Sequence, residues 1–367
     1  MTMISDEITA LVVESGTSAT RAGYSGDDAP HAILPTAVGH SSRTGKPTGD
    51  ELAFAPDHDV VYPVDWSRWD VDGLVPLWRH GVEGRLGCRF EDYPLMVVES
   101  TFAEREQRAR TIEVVLEELG APAVYLGKTA VMALFAMGRH TGLVLEAGAG
   151  GTAVVPVAEG IPLLQAAVHS TAISGRTLDA AALAMVEEAS GLSRDTLLAL
   201  SKEIASKEAV GLGDPPVFTR KPPAGNPSST SYLHHHQAKI VSEFRESVVQ
   251  VAESPSIMER DLALRPPRYF EFPCGYNRNF GAERFRLGES LFGDAGVPGL
   301  LQQSVQRLLD RNEGGGSAIL HSSSGTNQLL SNLVVAGGLS LTPGFMDRLT
   351  AEVSQMAVLG GGKVRIQ

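Results

Sequence analysis

Two short segments of this chain carry residues whose types and spacing suit phosphate chemistry. Leu11-Val12-Val13-Glu14-Ser15-Gly16-Thr17-Ser18 reads as an apolar strand, a carboxylate and a small-residue turn. Leu143-Val144-Leu145-Glu146-Ala147-Gly148-Ala149-Gly150 repeats that order 132 positions on (146 − 14). Short apolar runs of this kind fit buried strands. Small residues behind them let backbone N–H groups approach a ligand closely. A second strand-like run follows each turn, Thr20 to Tyr24 and Thr152 to Val157. Two such hairpins facing one another would cradle a polyphosphate, with Glu14 and Glu146 flanking a hydrated divalent cation. The alternative for either copy alone is an ordinary hairpin with a surface acid. A third glycine turn, Ala336-Gly337-Gly338, favours the ligand-binding interpretation.

These devices need a large scaffold. With 367 residues, 43% of them hydrophobic, the chain suits a globular protein of about two domains. A net charge of −12 without a basic stripe argues against strong direct nucleic-acid binding, which needs clustered Lys and Arg. Two cysteines, Cys88 and Cys274, fit a reducing compartment. Met1 to Glu7 show no secretory pattern, and no apolar run reaches the ~20 residues of a membrane span.

The elements can be placed from pattern. Residues 38 to 60 are polar, with Gly39, Gly45, Pro47 and Gly49, and read as a mobile loop. Asp65 to Trp78 reads as a helix carrying Trp66, Trp69 and Trp78, and Pro94 to Glu99 as a buried strand. A helix is expected from about Ala103 to Leu119, then a strand at Ala123 to Leu126 and a helix from Lys128 to Met137. Further helices are expected at Gly175 to Ser190, Gln237 to Glu253, Val297 to Asn312 and Pro343 to Met356. Gly213 to Thr230 holds five prolines and reads as a loop, as does the Gly- and Ser-rich run from Asn312 to Asn327. Leu333 to Ala336 and Lys363 to Gln367 read as strands. His234-His235-His236 reads as a loop triplet with little prospect of converging on a metal.

This order of elements resembles the actin family. ALVVESGTSATRAGYSGDDAPHAILPTAVG is similar to the family's opening, TGLVLEAGAGGTAVVPVAEG to its second phosphate hairpin, and VVAGGLSLTPGF to its third nucleotide turn. Within the family, YLGKTAVMALFAMGRHTGLVL, IASKEAV and FEFPCGYNRNFGAERFRL resemble the nuclear actin-related protein 4 type, a subunit of chromatin-remodelling and histone-acetyltransferase complexes. The resemblance implies an α/β fold of two actin-like domains around ATP with Mg or Ca. The first would span 1–140 with a small insertion at about 33–60. The second would span 141–367 with a helical insertion at about 175–298, and the segment that closes the first domain in actins is expected to be missing. By position, Gly16, Thr17, Ser18 and Arg21 match the first phosphate loop. Gly148, Ala149 and Gly150 match the second, Gly175 the turn near the sugar, and Gly337, Gly338 and Leu339 the turn under the nucleotide.

Two departures from the family stand out. Glu14 and Glu146 occupy positions where its members usually carry Asp, and the longer side chain disturbs a cation with strict geometry. Thr129, Ala149 and Ala153 align with the Gln, Asp and His that orient the attacking water, so ATP binding without hydrolysis is expected. Lys128 beside them would face either a phosphate or Glu146, or turn its head to water. The implied role is a nuclear, non-enzymatic subunit, with the cytoplasm as a second location. Its implied partners are a helical segment of a remodeller or acetyltransferase scaffold and nuclear actin. Phe345, Leu349 and Val353 offer a candidate apolar docking stripe. The alternatives are a cytoskeletal filament protomer with ATPase activity, which needs the missing hydrolytic residues, and a small-molecule kinase, which needs a catalytic carboxylate that is not evident.

Overall fold

In a computed structural model the chain forms two compact units, Met1–Met132 with Ser228–Tyr232, and Ala133–Pro227 with Leu233–Gln367. The described residues are 9–222, 228–293, 295–313, 329–356 and 365–367. The expected loop at Asn312 to Asn327 falls almost wholly outside them.

The first unit is built on a five-stranded sheet. Its strands are β1 (Leu11–Ser15), β2 (Ala19–Tyr24), β3 (Ala32–Pro35), β7 (Leu95–Glu99) and β8 (Val124–Lys128), in the order β3-β2-β1-β7-β8. Strands β1, β2 and β3 run antiparallel as successive hairpins, while β7 and β8 join in parallel. Alternation along β1 buries Leu11, Val13 and Ser15 and leaves Val12 and Glu14 on the half-exposed face. Leu11, Val13, Val97, Leu74, Leu77, Trp78 and Phe90 form the core beneath it. Trp78 is fully buried, and its indole N–H donates to Ser15 Oγ at 2.9 Å, so the ring is satisfied as well as packed.

The segment at 38–60 is not a loop. Its strands β4 (Val38–Ser41), β5 (Pro47–Thr48) and β6 (His58–Val61) form a three-stranded antiparallel sheet in the order β5-β4-β6. Polar composition concealed it, because only Val38, Phe54 and Val60 are needed to seat it. Phe54 lies over Gly39 so closely that a Cβ there would come within 2.7 Å of the ring. The expected helix over Asp65–Trp78 begins later, at Val71, with the Asp70 side chain accepting from Gly73 N. Trp66 and Trp69 precede it. The helix expected from Ala103 runs as Arg105–Glu113 and continues through wider π-type turns over Val114–Glu118.

In the second unit, β9 (Gly142–Ala147), β10 (Thr152–Ala158) and β11 (Ile161–Pro162) form successive hairpins, and β12 (Val168–Ser170) also pairs with β10. The parallel strands β17 (Asn332–Ala336) and β18 (Arg365–Ile366) complete the order β11-β10-β9-β17-β18. The arrangement repeats that of the first sheet: three antiparallel strands, then two parallel ones on the far side of the carboxylate-bearing strand. Leu143, Leu145, Val154, Leu301, Val305, Phe345 and Leu349 lie in its core.

A separate aromatic cluster packs a further part of the second unit. Phe244 meets Phe270, Phe272 and Phe280 with ring centroids 5.2, 5.4 and 4.9 Å away. The helix carrying Phe244 spans Thr230–Val248, seven residues earlier at its start than expected from Gln237. It takes in His234–His236, which therefore are helical, and the rings of His235 and His236 meet edge-on with centroids 5.2 Å apart. The Pro-rich segment likewise contains structure: β14 (Phe218–Arg220) pairs with β13 (Ile204–Lys207), while 223–227 lie outside the described residues.

Replacement of Trp78 by Ala should cost the first unit about 3–5 kcal/mol, the range for deleting a buried aromatic ring. Urea unfolding followed through the remaining Trp66 and Trp69 measures it. A loss under about 1 kcal/mol would mean that the ring is not seated in the core.

Candidate functional site

The two carboxylate-bearing hairpins close in the same way. In the first, Gly16 N donates to Ala19 O at 3.0 Å, and in the second Gly148 N donates to Gly151 O at 2.9 Å. The next two amides of each turn lie outside that closure. Among the described residues, the N–H groups of Thr17, Ser18, Ala149 and Gly150 have no protein acceptor. Successive open amides at a turn form an anion-binding concavity. Thr17, Ala149 and Gly150 are half-buried and Ser18 is exposed.

The first turn is braced from behind. Thr20 Oγ1 lies 3.0 Å from both Ser15 Oγ and Thr36 Oγ1, and Thr36 N donates to Ser18 O at 3.0 Å. On the other face of the strand, Glu14 and Arg21 are direct cross-strand partners. Arg21 Nη1 donates to Glu14 Oε2 at 3.2 Å, with both side chains about two-fifths exposed. The Glu14 carboxylate is therefore already occupied by a cation. A Mg²⁺ shell, which demands near-octahedral order, fits poorly beside it. Among the described residues, no group of three or more His, Cys, Asp or Glu side chains could hold a metal ion.

The second turn is braced from the side. Gly175 N donates to Gly148 O and Arg176 N to Ala149 O, both at 3.0 Å. These are the first amides of the Gly175–Ser190 helix, which Ser174 caps by accepting from Thr177 N. A Cβ at Gly175 would sit 3.2 Å from Ala149 Cα, so glycine there permits the close approach. Gly175 thus supports the second turn, with its own N–H already engaged. The third turn packs onto the end of β9: Gly337 has φ +95°, and a Cβ on it would lie 2.2 Å from Ala147 O. Gly338 is exposed with open space around it. The Leu339 side chain is 3% exposed and belongs to the core, so only its backbone is left for a ligand.

Of the expected residues, the structure assembles Glu14, Gly16, Thr17, Ser18 and Arg21 on one hairpin of the first unit. It assembles Glu146, Gly148, Ala149, Gly150, Gly175 and the Gly337 turn around β9 of the second. Ala153 stands directly across from Glu146 and is fully buried.

Two expectations are corrected. Lys128 does not turn its head to water: its Nζ lies 3.0 Å from Glu99 Oε1, within its own unit. Glu99 is 1% exposed, and Arg108 Nε approaches the same oxygen at 2.7 Å, out of line for a hydrogen bond. This buried carboxylate between two cations is the feature that pattern reading missed. The signal was present as an acid at the end of β7 next to a lysine at the end of the parallel β8, where Glu99 and Lys128 are paired in register. The second correction concerns Phe345, Leu349 and Val353. At 0%, 0% and 4% exposure they pack into the core of their own unit and offer no docking stripe.

The duplicated sheets, each carrying an acid-bearing hairpin with open turn amides, define a two-domain α/β architecture with a repeated turn device. The actin family profile matches residues 5–367, and the chain belongs to the actin family. It is similar to Actin-related protein 4 of Yarrowia lipolytica, with 32% identity covering 98% of this chain and 85% of that protein. Actin-related protein 4 of Emericella nidulans is 30% identical over 98% of this chain and 87% of its own length. The SWI/SNF and RSC complexes subunit arp42 of Schizosaccharomyces pombe is 28% identical over 98% and 88%.

Removing both cations from Glu99, in an Arg108→Ala, Lys128→Ala variant, should destabilise the first unit by about 3–5 kcal/mol, because it strands a buried carboxylate. Glu99→Gln, which leaves two partly exposed cations, should cost less, about 1–3 kcal/mol. Chemical denaturation of both variants checks the order, and a reversed order would show that Glu99 is not the desolvated partner.

Proposed function

We propose that this chain is a nucleotide-binding, non-hydrolysing actin-related subunit of nuclear chromatin-remodelling and histone-acetyltransferase complexes. The carrying observation is the matched pair of hairpin turns, each presenting two backbone amides without a protein acceptor. ATP is the ligand in this proposal, with Thr17, Ser18 and Arg21 of one hairpin and Ala149 and Gly150 of the other serving its phosphates. Gly337 and Gly338 serve the base side, with only the Leu339 backbone available beside them.

The case against turnover rests on side chains. Hydrolysis needs a group that takes the proton of an attacking water or aims its lone pair. Ala149 and Ala153 offer methyl groups. Thr129 Oγ1 is 3.0 Å from Thr101 Oγ1, so its short hydroxyl is engaged within its own unit. The nucleotide then stabilises the fold instead of fuelling work. Assembly into chromatin complexes rests on the similarity to relatives named Actin-related protein 4 and SWI/SNF and RSC complexes subunit arp42. A helical segment of a scaffold subunit and nuclear actin are the proposed partners, and the nucleus the proposed location.

ATP at ~100 times its Kd should raise stability by about 2.7 kcal/mol, read as a thermal shift, while phosphate release stays at background. Release at an actin-like rate that disappears in Gly148→Asp would overturn the no-turnover proposal. Recovery of remodelling or acetyltransferase subunits from nuclear extract tests the assembly half. Filaments pelleting in polymerising salt, with no such subunits recovered, would favour a cytoskeletal role.

Gly16→Val and Gly148→Val should each abolish the ATP shift while keeping a folded far-UV spectrum. A Cβ at Gly16 meets only Ala19 O at an ordinary 3.5 Å, and at Gly148 only Gly151 O at 3.3 Å, which needs that turn to give by a few tenths of an ångström. The branched side chain then obstructs the open amides. An undiminished shift in both would mean that the turns are purely structural.

A further inference from the structure

We propose that the nucleotide is held without a divalent cation, the Arg21 guanidinium meeting its phosphate charge and Glu14 acting as the residue that positions Arg21. The inference rests on the nucleotide-binding proposal above and concerns how the charge of that ligand is balanced. The Glu14 carboxylate reaches the guanidinium of Arg21 across the strand pair, at 3.2 Å. Because Glu14 and Arg21 are in register on an antiparallel pair, the contact is fixed by the hairpin itself. A cation placed at the same carboxylate would have to displace the guanidinium or share a site with it.

The second hairpin carries a different residue opposite its acid. Offset by the same 132 positions (153 − 21), the residue opposite Glu146 is Ala153. That hairpin keeps the same register and the same turn closure with a methyl group in place of the guanidinium. The head of Arg21 is accessible, its side chain being 42% exposed, and the contact with Glu14 uses Nη1, one corner of a fork with five N–H donors. The remaining donors suit the bidentate geometry that arginine makes with phosphate oxygens. The guanidinium thus bridges a carboxylate of the protein and an anion of the ligand, the part a hydrated Mg²⁺ would otherwise play.

The test is calorimetric titration of the full chain with ATP, once in Mg²⁺ and once in EDTA. The expected Kd values agree within about threefold, and a larger loss in EDTA overturns the proposal. Glu14→Asp, a conservative change that withdraws the carboxylate from Arg21, should make ATP affinity rise at least tenfold on adding Mg²⁺. An Asp variant as indifferent to Mg²⁺ as the parent would overturn the positioning role of Glu14. Arg21→Gln should weaken binding tenfold or more in EDTA, with far-UV circular dichroism confirming the fold, and unchanged affinity would overturn the role of Arg21. Absence of ATP binding to the parent chain in both buffers is a different result, and it removes the nucleotide proposal together with this one.

Discussion

One backbone hydrogen bond, made twice, governs the geometry of both hairpins. Gly16 N to Ala19 O and Gly148 N to Gly151 O each close a turn between a carboxylate-bearing strand and its antiparallel partner. Closure sets the register, and the register decides everything that follows along the strands. It places Glu14 opposite Arg21 and Glu146 opposite Ala153. It also leaves two amides per turn without a protein acceptor. A slip of one residue would reverse both faces of the strand, sending Glu14 toward the core and Val13 outward. The core therefore enforces the site: Leu11, Val13, Leu143 and Leu145, all within 2% of full burial, cannot be exposed without losing their packing.

The two halves keep one topology and spend their polar residues differently. In the first unit, charge is concentrated: Arg21 on Glu14, and Arg108 and Lys128 on the buried Glu99. In the second, the equivalent hairpin is braced by the backbone, through the amides of Gly175 and Arg176 and the close seat of Gly337 against Ala147. Glu99 follows Val98, the residue of β7 paired with Glu14, just as Gly337 follows Ala336, the residue of β17 paired with Glu146. At the same topological point, one unit carries a desolvated carboxylate that needs cations, and the other a glycine that allows backbone contact. Breaking the first leaves unpaired charge in the interior. Altering the second forces a side chain into a carbonyl.

The sequence made legible those features that repeat or that follow a strong period. The paired hairpins, the helix from Gly175 and the strand before Gly337 were read directly, because apolar runs and glycine turns are local signals. The small sheet over Val38–Val61 was not, since short strands paired mostly through polar residues leave little apolar alternation to detect. The helix beginning at Thr230 hid behind a histidine run of weak helix propensity, which its buried face overrides. The apolar spacing of Phe345, Leu349 and Val353 was seen correctly, yet periodicity states that a face is covered without naming what covers it. Here the cover is the unit's own core. The Glu99–Lys128 pair joins two strands 29 positions apart (128 − 99), and only the parallel register of β7 and β8 brings them together.

Alanine at 149 and 153 and threonine at 129 follow a consistent logic within this scaffold. Ala153 is fully buried on the strand beside β9, where a histidine would need a hydrogen-bonding partner or an ordered water to be tolerated. Replacing it by a methyl removes that requirement and leaves the hairpin closed by its backbone alone. Thr129, likewise, satisfies its hydroxyl with Thr101 and begins its helix without reaching outward. Each change trades a side chain that must meet solvent or ligand for one that the protein satisfies internally. The turn amides are different, since no side-chain substitution elsewhere removes them while the hairpin register holds. In the proposed role, anion binding would thereby be tied to the fold, whereas hydrolysis would depend on a few replaceable side chains.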